Sequence, residues 1–249
     1  MFVKNQFDDI LSIMDERIYT KDEFFDLVFR LHPNFSPASC QWALGVLTQE
    51  KKIFGLGYGY YKRLTKPFNE LKSWKPSKKL LDVTKSITRE KPFCIYSIEA
   101  LASALRIEEF RKATVLETPK DLTFPLYYEL HNSNSRRAML SPSNRDLEMY
   151  FEDGGIVIKK LFSKAPCQSN GSITIEKLIV DLLCDSFLNF AFPTEDLTSK
   201  VSYLISRYDF KVSTVMNYAK RRKVDGLVYQ LIQENLPAEI FEKLSDYIK

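Results

Sequence analysis

Histidine is scarce in this chain: only His32 and His131 occur in 249 residues. An imidazole-based metal centre would need both of them together with carboxylates, and nothing in the sequence joins them. No metal and no other cofactor is therefore expected, and base catalysis has little to draw on. Cysteine is scarce too. Cys40, Cys94, Cys167 and Cys184 stand apart, with no two at the spacing of a zinc site or a redox pair. Reduced, buried thiols of a cytoplasmic protein are the expectation. No run approaches the ~18 apolar residues that cross a membrane. The stretch Met1 to Asp15 lacks the basic start and long apolar run of a secretory signal. Of eight glycines, Gly55, Gly57 and Gly59 alternate, but they open no helix, so they do not form a phosphate-binding loop.

What the chain does have is enough apolar material for a sizeable core, with 45% hydrophobic and 13% aromatic residues. Its net charge of +4 is mild, but the distribution is not even. Ser36 to Lys91 holds twelve lysines and arginines against four acids, a net +8, which leaves −4 for the remainder. A basic segment on an acidic body is the footprint of a polyanion binder.

Periodicity divides the chain into three stretches. Residues 1–66 read as three helices and a hairpin. Phe2, Phe7, Ile10, Leu11 and Met14 fall at helical spacing. Thr20 and Glu23 form a capping box that opens a second helix. Ser36 caps a third helix, with Pro37 at its first position, where no backbone N–H is needed. Ile53 to Leu64 alternates aromatic and aliphatic residues with glycine and reads as a β-hairpin. Residues 67–91 form a proline-bearing basic linker with one short helix near 77–88. From 92 to 249, strand and helix patterns alternate up to Phe162 and are all helical from Ile173 on. This predicts an α/β domain with a helical C-terminal region.

Three helices followed by a hairpin is the pattern of a winged helix-turn-helix. The third helix would enter the major groove with Ser39, Gln41 and Trp42 towards the bases, and Ser36 at its N-cap counts among the DNA-binding residues. The hairpin would lay Tyr58, Tyr60, Lys62 and Arg63 along phosphates, with Lys51, Lys52 and Lys66 anchoring the backbone. Lys220, Arg221, Arg222 and Lys223 are a candidate second basic contact, or else complement a helix dipole. Glu152 and Asp153 before a strand with Lys159 and Lys160 faintly resemble a metal-dependent nuclease core, but the further acid such a core needs is not identified. No serine or cysteine has a nucleophile motif. The chain reads as a binding protein rather than an enzyme.

Three segments resemble the AbiEi-like antitoxins of the bacterial AbiE abortive-infection systems. They are Ser36 to Arg63 (SPASCQWALGVLTQEKKIFGLGYGYYKR), Gly155 to Pro166 (GIVIKKLFSKAP) and Ile173 to Cys184 (ITIEKLIVDLLC). The resemblance implies a transcriptional autorepressor of phage-defence operons that binds inverted repeats at its own promoter in double-stranded DNA. Its C-terminal domain would counteract a cognate toxin of the nucleotidyltransferase fold. A ligand-sensing transcription factor and a DNA-steered nuclease are the alternatives left by the residues themselves.

Overall fold

The computed structural model describes residues 7–15, 17–64, 74–132 and 137–248, the side chains of 239 and 246–248 excepted. Among these residues the chain is mixed α/β, with thirteen helices and two sheets.

The N-terminal unit runs α1 (Asp8–Ile13), β1 (Tyr19–Thr20), α2 (Lys21–Leu31), α3 (Pro37–Gln49), β2 (Ile53–Gly57) and β3 (Tyr60–Arg63). Local chemistry sets its boundaries. Thr20 Oγ1 accepts from the Glu23 N–H at 3.1 Å, and Glu23 Oε2 accepts from the Thr20 N–H at 2.6 Å, so α2 starts on the expected capping box. Ser36 Oγ accepts from the Ser39 N–H at 3.2 Å and opens α3. Tyr58 and Gly59 turn the hairpin with positive φ. The short strand β1 was not legible in the sequence. It pairs antiparallel with β3, giving a three-stranded sheet in the order β1-β3-β2. Phe7, Ile10, Phe24, Val28, Leu44 and Leu47 fill the core between helices and sheet.

The second unit begins inside the expected linker. α4 (Lys78–Thr88) lies where a short helix was predicted, but it is not a spacer. Its Leu80, Leu81, Val83 and Ile87, with Trp74 just before it, pack on the sheet cluster of Ile95, Leu116 and Ile158. Thus residues 74–91 belong to the body. The remainder of the linker, residues 67–73, lies outside the described residues.

β4 (Cys94–Ser97), α5 (Ile98–Leu105), β5 (Ala113–Thr118), α6 (Lys120–Asn132), β6 (Ala138–Leu140), α7 (Asn144–Tyr150) and β7 (Gly155–Lys160) follow as the hydrophobic alternation predicts. The sheet order is β4-β5-β7-β6, with β4 antiparallel and the other neighbours parallel. Both faces are buried, and side chains alternate between them. Ile95, Leu116 and Ile158 face α4 and α6. Tyr96, Val115 and Val157 face the helical region.

That region comprises α8 (Ile175–Asp181), α9 (Ser186–Ala191), α10 (Leu197–Arg207), α11 (Val212–Arg222), α12 (Asp225–Asn235) and α13 (Ala238–Ile248). Only α9 was missed. At six residues it is too short to show a helical period, and its cap, Asp185, follows an apolar run.

The two units are in contact through the hairpin. Tyr58 and Tyr60 pack against the core of the second unit. Gly57, at φ +102°, lies so close to the Ser213 side chain that a Cβ would overlap it. Lys62 is ion-paired with Asp209, whose side chain is 2% exposed. At the other end of the chain, Lys243 Nζ donates to the Ile18 carbonyl at 3.2 Å.

Candidate functional site

Two constellations could carry function. One is the outward face of α3, and the other is a buried cluster of charges beneath β5 and β7.

On α3, Cys40, Ala43, Leu44 and Leu47 turn inward and fix the helix on its unit. Gln41 and Thr48 are exposed, and a Cβ added at Gly45 between them would meet nothing within 4 Å. The three share one stripe at i, i+4 and i+7, open to a partner. Trp42 is 45% exposed and packs edge-on against Phe7 with ring centroids 5.3 Å apart. This contact accounts for a tryptophan outside the apolar face. Ser36 and Ser39 are partly committed, since their hydroxyls lie 3.0 Å apart at the helix cap.

The basic and hairpin residues divide. Lys51 and Arg63 are exposed. Lys52 Nζ lies 2.6 Å from Asp8 and 3.1 Å from Glu50, and the two carboxylates raise its pKa. Lys62, Tyr58 and Tyr60 are turned into the second unit, so the hairpin cannot lay these three side chains along phosphates as expected. Packing against α11 is the physical reason, because the hairpin's apolar ring surface is buried there rather than left in water. Lys66 lies outside the described residues. In the late basic run, Lys220, Arg221 and Lys223 are exposed, and Lys223 caps α11 in the left-handed region. Arg222 is not a surface contact. Its guanidinium is buried, 3.9 Å above the Phe162 ring and 2.9 Å from Asp181.

The buried cluster gathers Glu117 from β5, Lys159 from β7, Lys177 and Asp181 from α8, Asp185 at the start of α9, and Arg222 at the end of α11. Lys177 Nζ lies 2.8 Å from Glu117 and also pairs with Asp181. Lys159 pairs with Asp185 and lies 3.3 Å from Glu117. Tyr218 donates to Asp181 at 2.9 Å, and Tyr96 donates to Glu117 at 3.2 Å. Asp185 Oδ1 also accepts the Phe187 and Leu188 N–H groups at 3.0 and 3.2 Å.

Burial opposes every charge here, and opposite charges outweigh it at most positions. Glu117 and Asp185 are held below the usual carboxylate range by Lys177 and Lys159. Lys177, Lys159 and Arg222 are held above their ordinary values by the facing carboxylates. Asp181 is the exception, because burial pushes its carboxyl up despite Lys177 and Arg222.

Oxygens of Glu117, Asp181 and Asp185 come within 4.8 Å of one another, the spacing of a metal site. Each carboxylate, however, already holds one of the chain's own cations, three against three. An added cation would have to displace Lys177, so the donor set fits internal neutralisation better than a metal.

The pairs singled out from the sequence do not meet here. Glu152 lies 3.3 Å from Arg137, and Asp153 accepts from the Lys112 N–H at 3.1 Å, both exposed. Only Lys159 joins the cluster. Sequence reasoning missed Glu117, Lys177, Asp181 and Asp185. The available signal was a lysine and an aspartate four apart on the apolar face of the IEKLIVDLLC segment.

Removing one partner should be costly. Lys177→Met is expected to lower stability by about 3–5 kcal/mol, because it strands buried carboxylates. Urea unfolding measures this, and a loss below about 1 kcal/mol would mean that the cluster is solvated. The lowered acids Glu117 and Asp185 contribute stability that is lost as pH falls below their ordinary range, about 4. The raised Asp181 runs the other way and blunts that limb. The raised lysines contribute stability that is lost only above their ordinary value, about 10.4. Unfolding midpoints should therefore hold a plateau between these limits in the parent, with a shallower pH response in Lys177→Met.

No curated protein and no solved structure matches the chain. A family model described as "Family of unknown function (DUF6577)" matches residues 39–238, about four-fifths of the length. The match takes in most of α3, the hairpin, every residue of the charged cluster and the helices from α4 to α12, and it leaves α1 and α2 outside. The chain belongs to this family, DUF6577.

Proposed function

We propose that this protein is a DNA-binding regulator whose N-terminal unit is a winged helix, and that it serves as the antitoxin of an AbiE-type system rather than as an enzyme. The order helix, strand, helix, helix, strand, strand, with the first strand added beside the last, supports the winged-helix reading. The observation that carries DNA binding is the open stripe of α3, where Gln41 and Thr48 flank the bare Gly45. A helix face without bulk at its centre can approach base edges closely, and glutamine pairs bidentately with adenine.

The hairpin's part is smaller in this reading than its sequence suggests. Lys51 and Arg63 remain to meet phosphates, while Lys62 orients the unit through Asp209. Against an enzyme stands the pairing of every cluster carboxylate with an internal cation. The antitoxin role rests on the family resemblance of the three quoted segments. The toxin, of the nucleotidyltransferase fold, is proposed as a functional partner in the cytoplasm.

Gln41→Ala is expected to cost about 1–3 kcal/mol on the promoter duplex and almost nothing on a scrambled one. Fluorescence anisotropy on both duplexes separates the cases, and equal losses on both would remove Gln41 from base reading. The antitoxin role predicts that co-expression restores growth to cells making a cognate toxin of the nucleotidyltransferase fold. Failure of a well-expressed, folded chain to rescue would end that part of the proposal and leave DNA binding standing.

A further inference from the structure

A cleft of about 1100 Å³ lies between the two units, bounded by the end of α3 and β2 on one side and by α4 and the segment leading into α8 on the other. Lys51, Lys75, Lys78, Lys85 and Lys211 reach it from separate parts of the chain. Lys78, Leu81 and Lys85 form one stripe of α4, three and four residues apart, at the edge of the face that packs on the sheet, with Leu81 reaching both the sheet cluster and the cleft. Two carboxylates share the lining, and both are already engaged. Asp209 holds Lys62, and Glu176 accepts from the backbone N–H of Lys211 at 3.0 Å. Among the described residues, none of the five ammonium groups has a carboxylate within ion-pairing distance. Five lysines against one lining carboxylate that holds no cation, Glu176, leave the hollow net positive, and like charges repel one another unless an anion joins them.

The floor is of the opposite character. Ile53, Phe54, Trp74, Leu81, Ile95 and Ile173 line it. A ligand that uses both parts must carry several negative charges and a flat apolar surface. A simple inorganic anion would leave the floor empty. A fatty acid would use one lysine of the five. A DNA duplex keeps its base faces stacked inside and could not present them to Trp74. We infer that this cleft binds a nucleotide, with phosphates on the lysine rim and a base against Trp74 and the aliphatic floor. Lysine rim plus aromatic platform is the pairing that recognises nucleoside phosphates, free or at the end of a single strand. The volume slightly exceeds the range of about 300–1000 Å³ usual for small-molecule sites, so more than one nucleotide can be accommodated. Thr48 and Lys51 are shared with the proposed DNA face, but Trp74, Lys75, Lys78, Lys85 and Lys211 are not, so the two readings can fail separately.

Isothermal titration of the full chain with ATP, with a short oligothymidylate and with inorganic tripolyphosphate tests it. The paired substitution Lys78→Glu with Lys85→Glu should weaken ATP or oligonucleotide binding at least about tenfold. Lys112→Glu with Lys120→Glu makes the same charge change at two exposed lysines outside the cleft and should leave binding within about twofold. Trp74→Leu, which adds no charge, should weaken ATP or the oligonucleotide but not tripolyphosphate. The tighter of the two base-bearing probes identifies the source of the phosphates. Absence of heat with both base-bearing probes in the parent chain would overturn the inference. So would equal weakening by the two charge-reversal pairs, or tripolyphosphate binding as tightly as ATP.

Discussion

Six charges share one buried site between the central sheet and the C-terminal helices, and the body of the molecule is arranged around satisfying them. Glu117 and Lys159 sit opposite each other in the register of β5 and β7, and both project to the helical side. Lys177, Asp181, Asp185 and Arg222 answer them from α8, α9 and α11. Such a network adds little net stability over a well-packed apolar contact. What it imposes is position. A slide of α8 by one turn would pair like with like, whereas apolar packing alone would tolerate several placements. Its cost when broken is large, which explains why no side chain of the cluster is left without a partner.

A second constraint follows from where α11 ends up. Its outer surface, with Ser213 and the preceding Asp209, receives the β2–β3 hairpin. Tyrosines and a lysine that look on paper like a nucleic-acid wing are used to join the units. The α3 stripe is left facing outward and the lysine-rimmed cleft opens beside it. α4, inside the stretch read from the sequence as a basic linker, packs on one face of the sheet.

The fold was largely legible because its elements are locally consistent. Thr20 with Glu23, Ser36 with Pro37, and Thr174 each mark a helix start by a side-chain cap that the structure contains. The continuous apolar run in GIVIKK marks a strand buried on both faces. β1 was illegible because two residues carry no period, and α9 because six carry less than two turns. The charged cluster was illegible for another reason. Its members lie up to 105 positions apart, between Glu117 and Arg222, and burial is what distinguishes them from solvated charges. The fate of Lys62, Tyr58 and Tyr60 could not be read locally either, since their partners stand about 150 positions along the chain.

The central claim is that the hairpin is held by the body and that α3 is the face offered to DNA. Amide hydrogen exchange with and without promoter duplex tests it most directly. In the free chain, the amides of Ile53–Gly57 and Tyr60–Arg63 should already exchange as slowly as core strands. Adding duplex should slow the amides at the start of α3 and leave the hairpin unchanged. A hairpin that exchanges freely in the absence of DNA and becomes protected only when duplex is added would contradict the account.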